Sequence, residues 1–306
     1  MPNKGKFIRA PALDSSTTFS VYYVMISNKQ PFDWVPTPDL MAQSNLTAFL
    51  RKVGESSFAS LSARADADPA WLMEEVLDFC DLRFYKPYTQ MLDTSRGIEW
   101  ARWCVGGTTN IVLNCLDRHR GTPVWDQTFL VWEGEDPKDR RSLSYREFDA
   151  EVCRLAGAMT SLGIGRGDRV GLFMPNLPET FIAFFAVLKI GAVLMPLFSG
   201  FGPQPIISRL NDGEAKAVLT VDGTWRRGNP GAMKQVLDEA LAEVPSVQHV
   251  MVLSHLGEAL ACPMTPGRDH DWATLVANQP ADHPTAEMEA EAPAVLLYTS
   301  GTTGKP

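Results

Sequence analysis

An α/β fold, with mostly parallel sheets joined by helical crossovers, is what this 306-residue sequence predicts. Three observations predict it. From about Leu130 onward, apolar strand-like runs alternate with helical-period segments four times or more, the pattern of a parallel sheet with crossover helices. The first long helical segment opens on Ser144 with Glu147 three residues later, a capping box that fixes a helix start. The last apolar run, Ala294 to Tyr298, feeds directly into a loop of hydroxylated residues, glycines and a lysine.

Taken in order, the first thirty or so residues show neither helical period nor steady alternation. They read as a flexible leader over 1–33, or as translated sequence upstream of the true start. From Trp34 to about Trp103 the chain is rich in aromatics and helix-like. Within it Asp68 can cap and Pro69 suits a first helical turn, with Trp71, Val76, Leu77 and Cys80 as a buried face. Phe129 to Trp132 reads as a strand, followed by a charged turn through Arg141. In the next helix Phe148, Val152, Leu155, Ala156, Met159 and Leu162 follow the helical period, and Gly163 can end it. Three further rounds follow: RVGLFMP then PETFIAFFAVLKIG, AVLMPLF then QPIISRLND, AKAVLTVD then PGAMKQVLDEALAEV, closing on VQHVMVL. DWATLVAN suggests a short helix, and AEMEAEAP reads as a solvated approach to the final strand, Ala294 to Tyr298.

Composition sets limits. A net charge of -8 and a pI near 5.2 argue against nucleic acid or an anionic membrane surface as partner, so an anionic substrate needs local positive groups. The five cysteines form no CxxC and no ligand-spaced cluster; they read as reduced thiols of a cytoplasmic protein, with no metal site. The apolar stretch Phe181 to Phe198 is interrupted by Lys189, Gly191 and Pro196. It reads as a buried helix ending near Ile190 and a buried strand rather than a membrane span.

The string YTSGTTGKP, Tyr298 to Pro306, carries the chemistry. Gly301 and Gly304 permit close backbone approach. Thr299, Ser300, Thr302 and Thr303 supply donors, and Lys305 supplies positive charge. Such a loop after a strand presents N–H groups and hydroxyls to phosphate. It lacks the Gly-Lys-Ser/Thr ending of the kinase and GTPase P-loop, since Pro306 follows Lys305. A Ser/Thr/Gly-rich surface turn is the alternative.

The order of residues in TSGTTGKP resembles the phosphate-loop signature of the adenylate-forming superfamily. RGDRVGLFMPNLPE, FFAVLKIGAVLMPLFSGFGPQPIISRLND and FDWVPTPDLMAQSNLTAFLRKVG are similar to acetyl-CoA synthetase-type enzymes, and Trp100 to His119 resembles the bridge from their N-terminal extension to the main domain. The resemblance covers about Trp34 to Pro306. It implies a helical extension over 34–119, then the first part of the large AMP-binding domain over 120–306, incomplete at the phosphate loop. It implies an AMP-forming ligase acting on a small carboxylate, acetate first and propionate, butyrate or acetoacetate next, with ATP, Mg2+ and CoA. Thr299, Ser300, Gly301, Thr302, Thr303, Gly304 and Lys305 would then hold the β- and γ-phosphates, Lys305 offsetting leaving-group charge as the catalytic residue.

Two adjacent arginines, Arg226 and Arg227, stand before a helix, where guanidinium forks suit a phosphate. The family has basic residues here for the CoA 3′-phosphate; Arg226 matches best, and Asn229 falls where a second basic residue often occurs. A solvated basic turn is the alternative. Asp117 to Arg120 is expected to be a structural hinge, Glu179 a helix-start residue and Cys115 core. The resemblance also places the adenine contacts, acyl pocket and C-terminal lysine domain beyond Pro306, so these residues alone are expected to be inactive, with unpaired sheet edges. A stand-alone nucleotide- or CoA-binding module, or an inactive remnant, remains the other reading; oligomeric state is not legible.

Overall fold

The structure is a computed structural model that describes residues 36–136, 138–226 and 228–299. The chain divides between Ala63 and Arg64 into two compact units. In the first, α1 (Pro38–Gln43) is capped by the Thr37 hydroxyl, and α2 (Asn45–Val53) by Ser44. Gly54, at φ 73°, closes α2 in the left-handed conformation.

The boundary falls within α3 (Phe58–Ala67). Next, α4 (Pro69–Phe79) starts as its sequence dictates: the Asp68 carboxylate accepts from Trp71 N–H, with Pro69 in the first turn. Its expected buried face is not realised. Trp71, Val76 and Leu77 are only half-buried and Cys80 is exposed. In place of the tight packing expected there, the Arg64 guanidinium lies 3.6 Å over the Trp71 ring. An antiparallel pair, β1 (Gln90–Asp93) and β2 (Arg102–Val105), replaces continued helix, and β3 (Thr108–Thr109) and the short α5 (Ile111–Cys115) follow.

β4 (Thr128–Glu133) and β5 (Arg140–Ser144) form a separate antiparallel hairpin rather than joining the main sheet. α6 (Tyr145–Ser161) carries the capping box, Ser144 Oγ accepting from Glu147 N–H while the Glu147 carboxylate accepts from Ser144 N–H. It ends in a Schellman motif: Gly163, at φ 74°, donates to Thr160 O, and Ile164 donates to Met159 O.

The main sheet then builds through β6 (Arg169–Phe173), α7 (Pro178–Lys189), β7 (Val193–Pro196), α8 (Pro203–Asp212), β8 (Ala217–Val221), the hairpin β9 (Thr224–Arg226) and β10 (Asn229–Gly231), α9 (Met233–Leu241), β11 (His249–Leu253), β12 (Asp269–Asp271) and α10 (Trp272–Ala277). Its order is β12-β11-β8-β6-β7, every neighbouring pair parallel. All five residues of β8 are buried because helices cover both faces. The right-handed rule for crossovers puts α7 on one face and α8 and α9 on the other; accordingly α6 packs on α7 and α8 on α9.

The sequence-expected strand over Ala294–Tyr298 is reduced to a single parallel bridge, Leu194 to Val295. Leu194 N–H donates to Ala294 O and Leu296 N–H to Leu194 O, at 2.9 and 2.8 Å. Beyond this pair the segment lacks ladder partners among the described residues, and Leu297 is 70% exposed. The acidic stretch before it, which includes β13 (Met288–Glu289), is more than a solvated approach. β13 pairs with β3, Glu291 accepts from Trp103 N–H, and Glu287 accepts from the Thr108 hydroxyl. These carboxylates bind backbone and hydroxyl donors of a segment almost two hundred residues earlier, which no local pattern reveals.

Candidate functional site

A sheet of this kind has one place that invites a ligand. β6 connects onward to β7 on one side, while β8 connects onward to β11 on the other, so the topology reverses between β6 and β8. Crevices form beyond the carboxyl ends of strands at such a switch point. A cavity of about 630 Å³ lies there, lined by Pro175, Asn176 and Leu177 after β6, Thr224, Trp225 and Gly228 after β8, and His255 after β11. The β4–β5 hairpin supplies its other wall, pinned by the Trp132 indole N–H donating to Asn176 O at 2.7 Å.

Arg226 ends β9 on the lip of this crevice, exposed, directly after the lining residue Trp225. It sits in a tight hairpin whose register pairs it with Asn229, and Gly228 at φ 75° makes the turn possible. The helix expected to follow the arginine pair from Pro230 starts only at Met233, because Pro230 is used in β10. Arg227 lies outside the described residues. Glu133, Glu135, Asp136 and Asp139 line the opposite wall. Charge in the crevice is therefore asymmetric: a phosphate is favoured on the Arg226 side and repelled from the hairpin side.

Asp222 follows β8, two residues before the lining residue Thr224. Its carboxylate is 3% exposed and accepts from the N–H groups of Gly223, His255, Leu256 and Gly257 at 2.7–3.0 Å. Burial pushes this carboxyl up, but the backbone donors outweigh burial and hold it below the ordinary carboxylate value. Asp222 thus ties the loop after β8 to the loop after β11. Sequence reading missed Asp222, Trp132 and Trp225; the one signal available was that each stands within two residues of a strand's end, or at it.

Of the phosphate-loop candidates, Thr299 is exposed and follows the segment paired with β7. Ser300, Gly301, Thr302, Thr303, Gly304 and Lys305 lie outside the described residues. Because that pairing is parallel, Thr299 leaves the sheet at the same carboxyl edge as the crevice.

The remaining charged cluster is elsewhere. Lys189 is fully buried at the end of α7, its ammonium 2.8 Å from Thr285 Oγ1, 3.2 Å from Asp117 and 3.8 Å from Asp149. Arg120 reaches Asp149 at 2.6 Å and Asp282 at 2.9 Å. Burial pushes the Asp149 carboxyl up, against the pull of Lys189 and Arg120. This clasp joins Asp117–Arg120, α6, α7 and the segment entering β13, in keeping with a structural role for Asp117–Arg120. Glu179 stands in the first turn of α7 paired with Arg141, and Cys115 packs half-buried against the core, its thiol pushed up by burial. Among the described residues no helix is long and apolar enough to cross a membrane.

A parallel α/β sheet with its crevice at the switch point defines a ligand-binding α/β domain. Residues 117–306 match the model of the family described as AMP-binding enzyme, and residues 58–115 match that of the acetyl-coenzyme A synthetase N-terminus. The chain belongs to the AMP-binding enzyme family. It is 43% identical to the acetyl-coenzyme A synthetase of Syntrophus aciditrophicus over 229 residues, 74% of this chain and 34% of that one. It is 38% identical to that of Mycolicibacterium smegmatis over 276 residues, 90% of this chain and 28% of that one. The acetoacetyl-CoA synthetase from Streptomyces lividans superposes with a TM-score of 0.80 at 26% identity, over 89% of this chain and 42% of that structure. The chain thus spans only about a third of the length of the curated relatives it matches.

Proposed function

We propose that this chain is the N-terminal part of an AMP-forming ligase that joins a short-chain carboxylate, acetate first, to CoA. The organisation that follows is a leader over 1–33, an extension over 34–119 and the first part of the AMP-binding domain over 120–306, in a cytoplasmic enzyme. In the reaction a carboxylate oxygen attacks the α-phosphorus of Mg-ATP and pyrophosphate leaves. The CoA thiol then attacks the acyl carbon, giving the thioester and AMP. Such chemistry needs neutralised leaving-group charge and held reactants rather than a protein nucleophile.

Thr299, Ser300, Gly301, Thr302, Thr303, Gly304 and Lys305 are proposed to grip the β- and γ-phosphates, with Lys305 stabilising departing pyrophosphate. Arg226, with Arg227, is proposed to take the CoA 3′-phosphate. The observation that carries this reading is the parallel Leu194–Val295 bridge, which brings the threonine at the head of the loop to the carboxyl edge that holds the crevice. With strands about 4.8 Å apart, segment 294–298 lies about 10–14 Å from the β6–β8 gap. That is within the span of one nucleotide cofactor. The relatives' names support the choice of acid: two are acetyl-coenzyme A synthetases, and the structural neighbour is an acetoacetyl-CoA synthetase.

The test is calorimetric titration of the chain with Mg-ATP. Lys305→Ala is expected to weaken binding by tenfold or more, and equal binding by both proteins would remove the phosphate-loop reading. Restored to full length, the enzyme is expected to release pyrophosphate only when acetate is present.

A further inference from the structure

The segment leading into the loop is held by more than its one bridge. Tyr298 donates its hydroxyl proton to Asp212 Oδ2 at 2.6 Å, at the end of α8, and the same oxygen lies 3.3 Å from Arg209 O. A hydroxyl has a single proton, so the shorter, charge-assisted bond takes it. The acidic neighbour and burial keep that proton in place: burial first, then the Asp212 bond, push the Tyr298 phenol up to about 12. Arg209, one helical turn earlier, lays its guanidinium 5.4 Å from the Tyr298 ring centre and 4.6 Å from that of Phe201. Phe201 belongs to the loop after β7. One arginine therefore joins two loops at the carboxyl edge of the sheet. Leu296 lies close to Gly213, where an added Cβ would stand 3.2 Å from its Cδ2 and closer still to the Met195 side chain.

We propose that Tyr298 is a positioning residue: clamped by Asp212 and stacked through Arg209 toward Phe201, it fixes where the phosphate loop begins. The proposal rests on the reading of Ser300–Lys305 as that loop. Ladder pairing stops at Leu296, and Leu297 points an exposed side chain away, so Tyr298 is the last anchored side chain before Thr299. Without it the loop would start from a freely rotating tether, and Mg-ATP binding would bear the entropy of ordering it.

The experiment uses the whole chain with five variants: Tyr298→Phe, Asp212→Ala, the double variant combining these two, Asp212→Asn and Lys305→Ala. Hydrogen exchange of the Leu296 amide, which donates to Leu194 O, and the Kd for Mg-ATP are measured for each. Tyr298→Phe and Asp212→Ala are each expected to speed exchange about tenfold and raise the Kd about three- to tenfold, the scale of one partly exposed charge-assisted hydrogen bond. The double variant should add little to either single one, because both remove the same bond. Asp212→Asn keeps an oxygen acceptor and should stay within twofold of the parent, a rescue that general loosening of α8 would not give. If Lys305→Ala weakens Mg-ATP but Tyr298→Phe changes neither readout by twofold, the clamp is wrong and the loop reading stands. If Mg-ATP binds the parent and Lys305→Ala alike, or binds neither, the loop reading fails and this proposal falls with it.

Discussion

The clasp around Lys189 and the crevice beyond β6 and β8 are both dense in charge, and they handle it in opposite ways. In the clasp a fully buried lysine is met by Asp117, Asp149 and Thr285, and the partly exposed Arg120 ties Asp149 to Asp282. In the crevice an exposed arginine faces a wall of carboxylates across an open cavity, while the buried Asp222 next to its lining loops is spent on backbone amides and the Ser254 hydroxyl. By residue content the clasp looks more like a catalytic centre. Its lysine is shut away from any ligand and paired within the fold, whereas the crevice presents an exposed arginine that a ligand can use. Charge density thus marks function only where partners are missing.

That contrast can be broken by measurement. The largest effect is expected at Lys189→Met, which strands Asp117 and Asp149: about 3–5 kcal/mol lost in urea denaturation, the usual cost of halving a buried ion pair. A smaller loss for Lys189→Arg than for the methionine would confirm that charge, not packing, is at stake. Should the methionine variant be as stable as the parent, the clasp is not structural.

Asp222→Asn comes next, at about 2–3 kcal/mol, since the amide brings a donor against backbone N–H groups. The folded pKa of Asp222 lies below its unfolded value, so the stability it contributes is present above about pH 4 and lost as pH falls through the lower folded value. The stability gap between parent and variant should therefore shrink below about pH 4. A gap that is constant with pH would show that the carboxylate charge is not what holds the loops. Ser144→Ala should cost about 1 kcal/mol through loss of the α6 cap, with no effect on ligand binding.

Arg226→Ala sits at the small end for stability, within about 0.5 kcal/mol. Its effect belongs to the ligand: CoA affinity should fall about tenfold, while 3′-dephospho-CoA should bind parent and variant equally. Equal CoA binding by both would return the hairpin to an ordinary solvated turn.

What the sequence determined by itself is whatever is written within a few residues. The capping box at Ser144, the cap at Asp68, the Gly163 stop, and the repeated strand–helix alternation all rest on contacts between near neighbours, and they specify the parallel α/β class. The hydroxyl-and-glycine string marks a family for the same reason, since its chemistry is contiguous. Only the tertiary structure decided that Lys189 would be a buried cation rather than a break in an apolar run, and that Glu287 and Glu291 would bind an earlier segment. It alone turned Asp222 into the tie between two loops and Ala294–Tyr298 into a single bridge with a tyrosine clamp. Each of these depends on a partner tens to nearly two hundred residues away, or on a sheet edge whose neighbours are set by topology. No local spacing encodes such a pairing, because the energy that selects it appears only when the elements have packed.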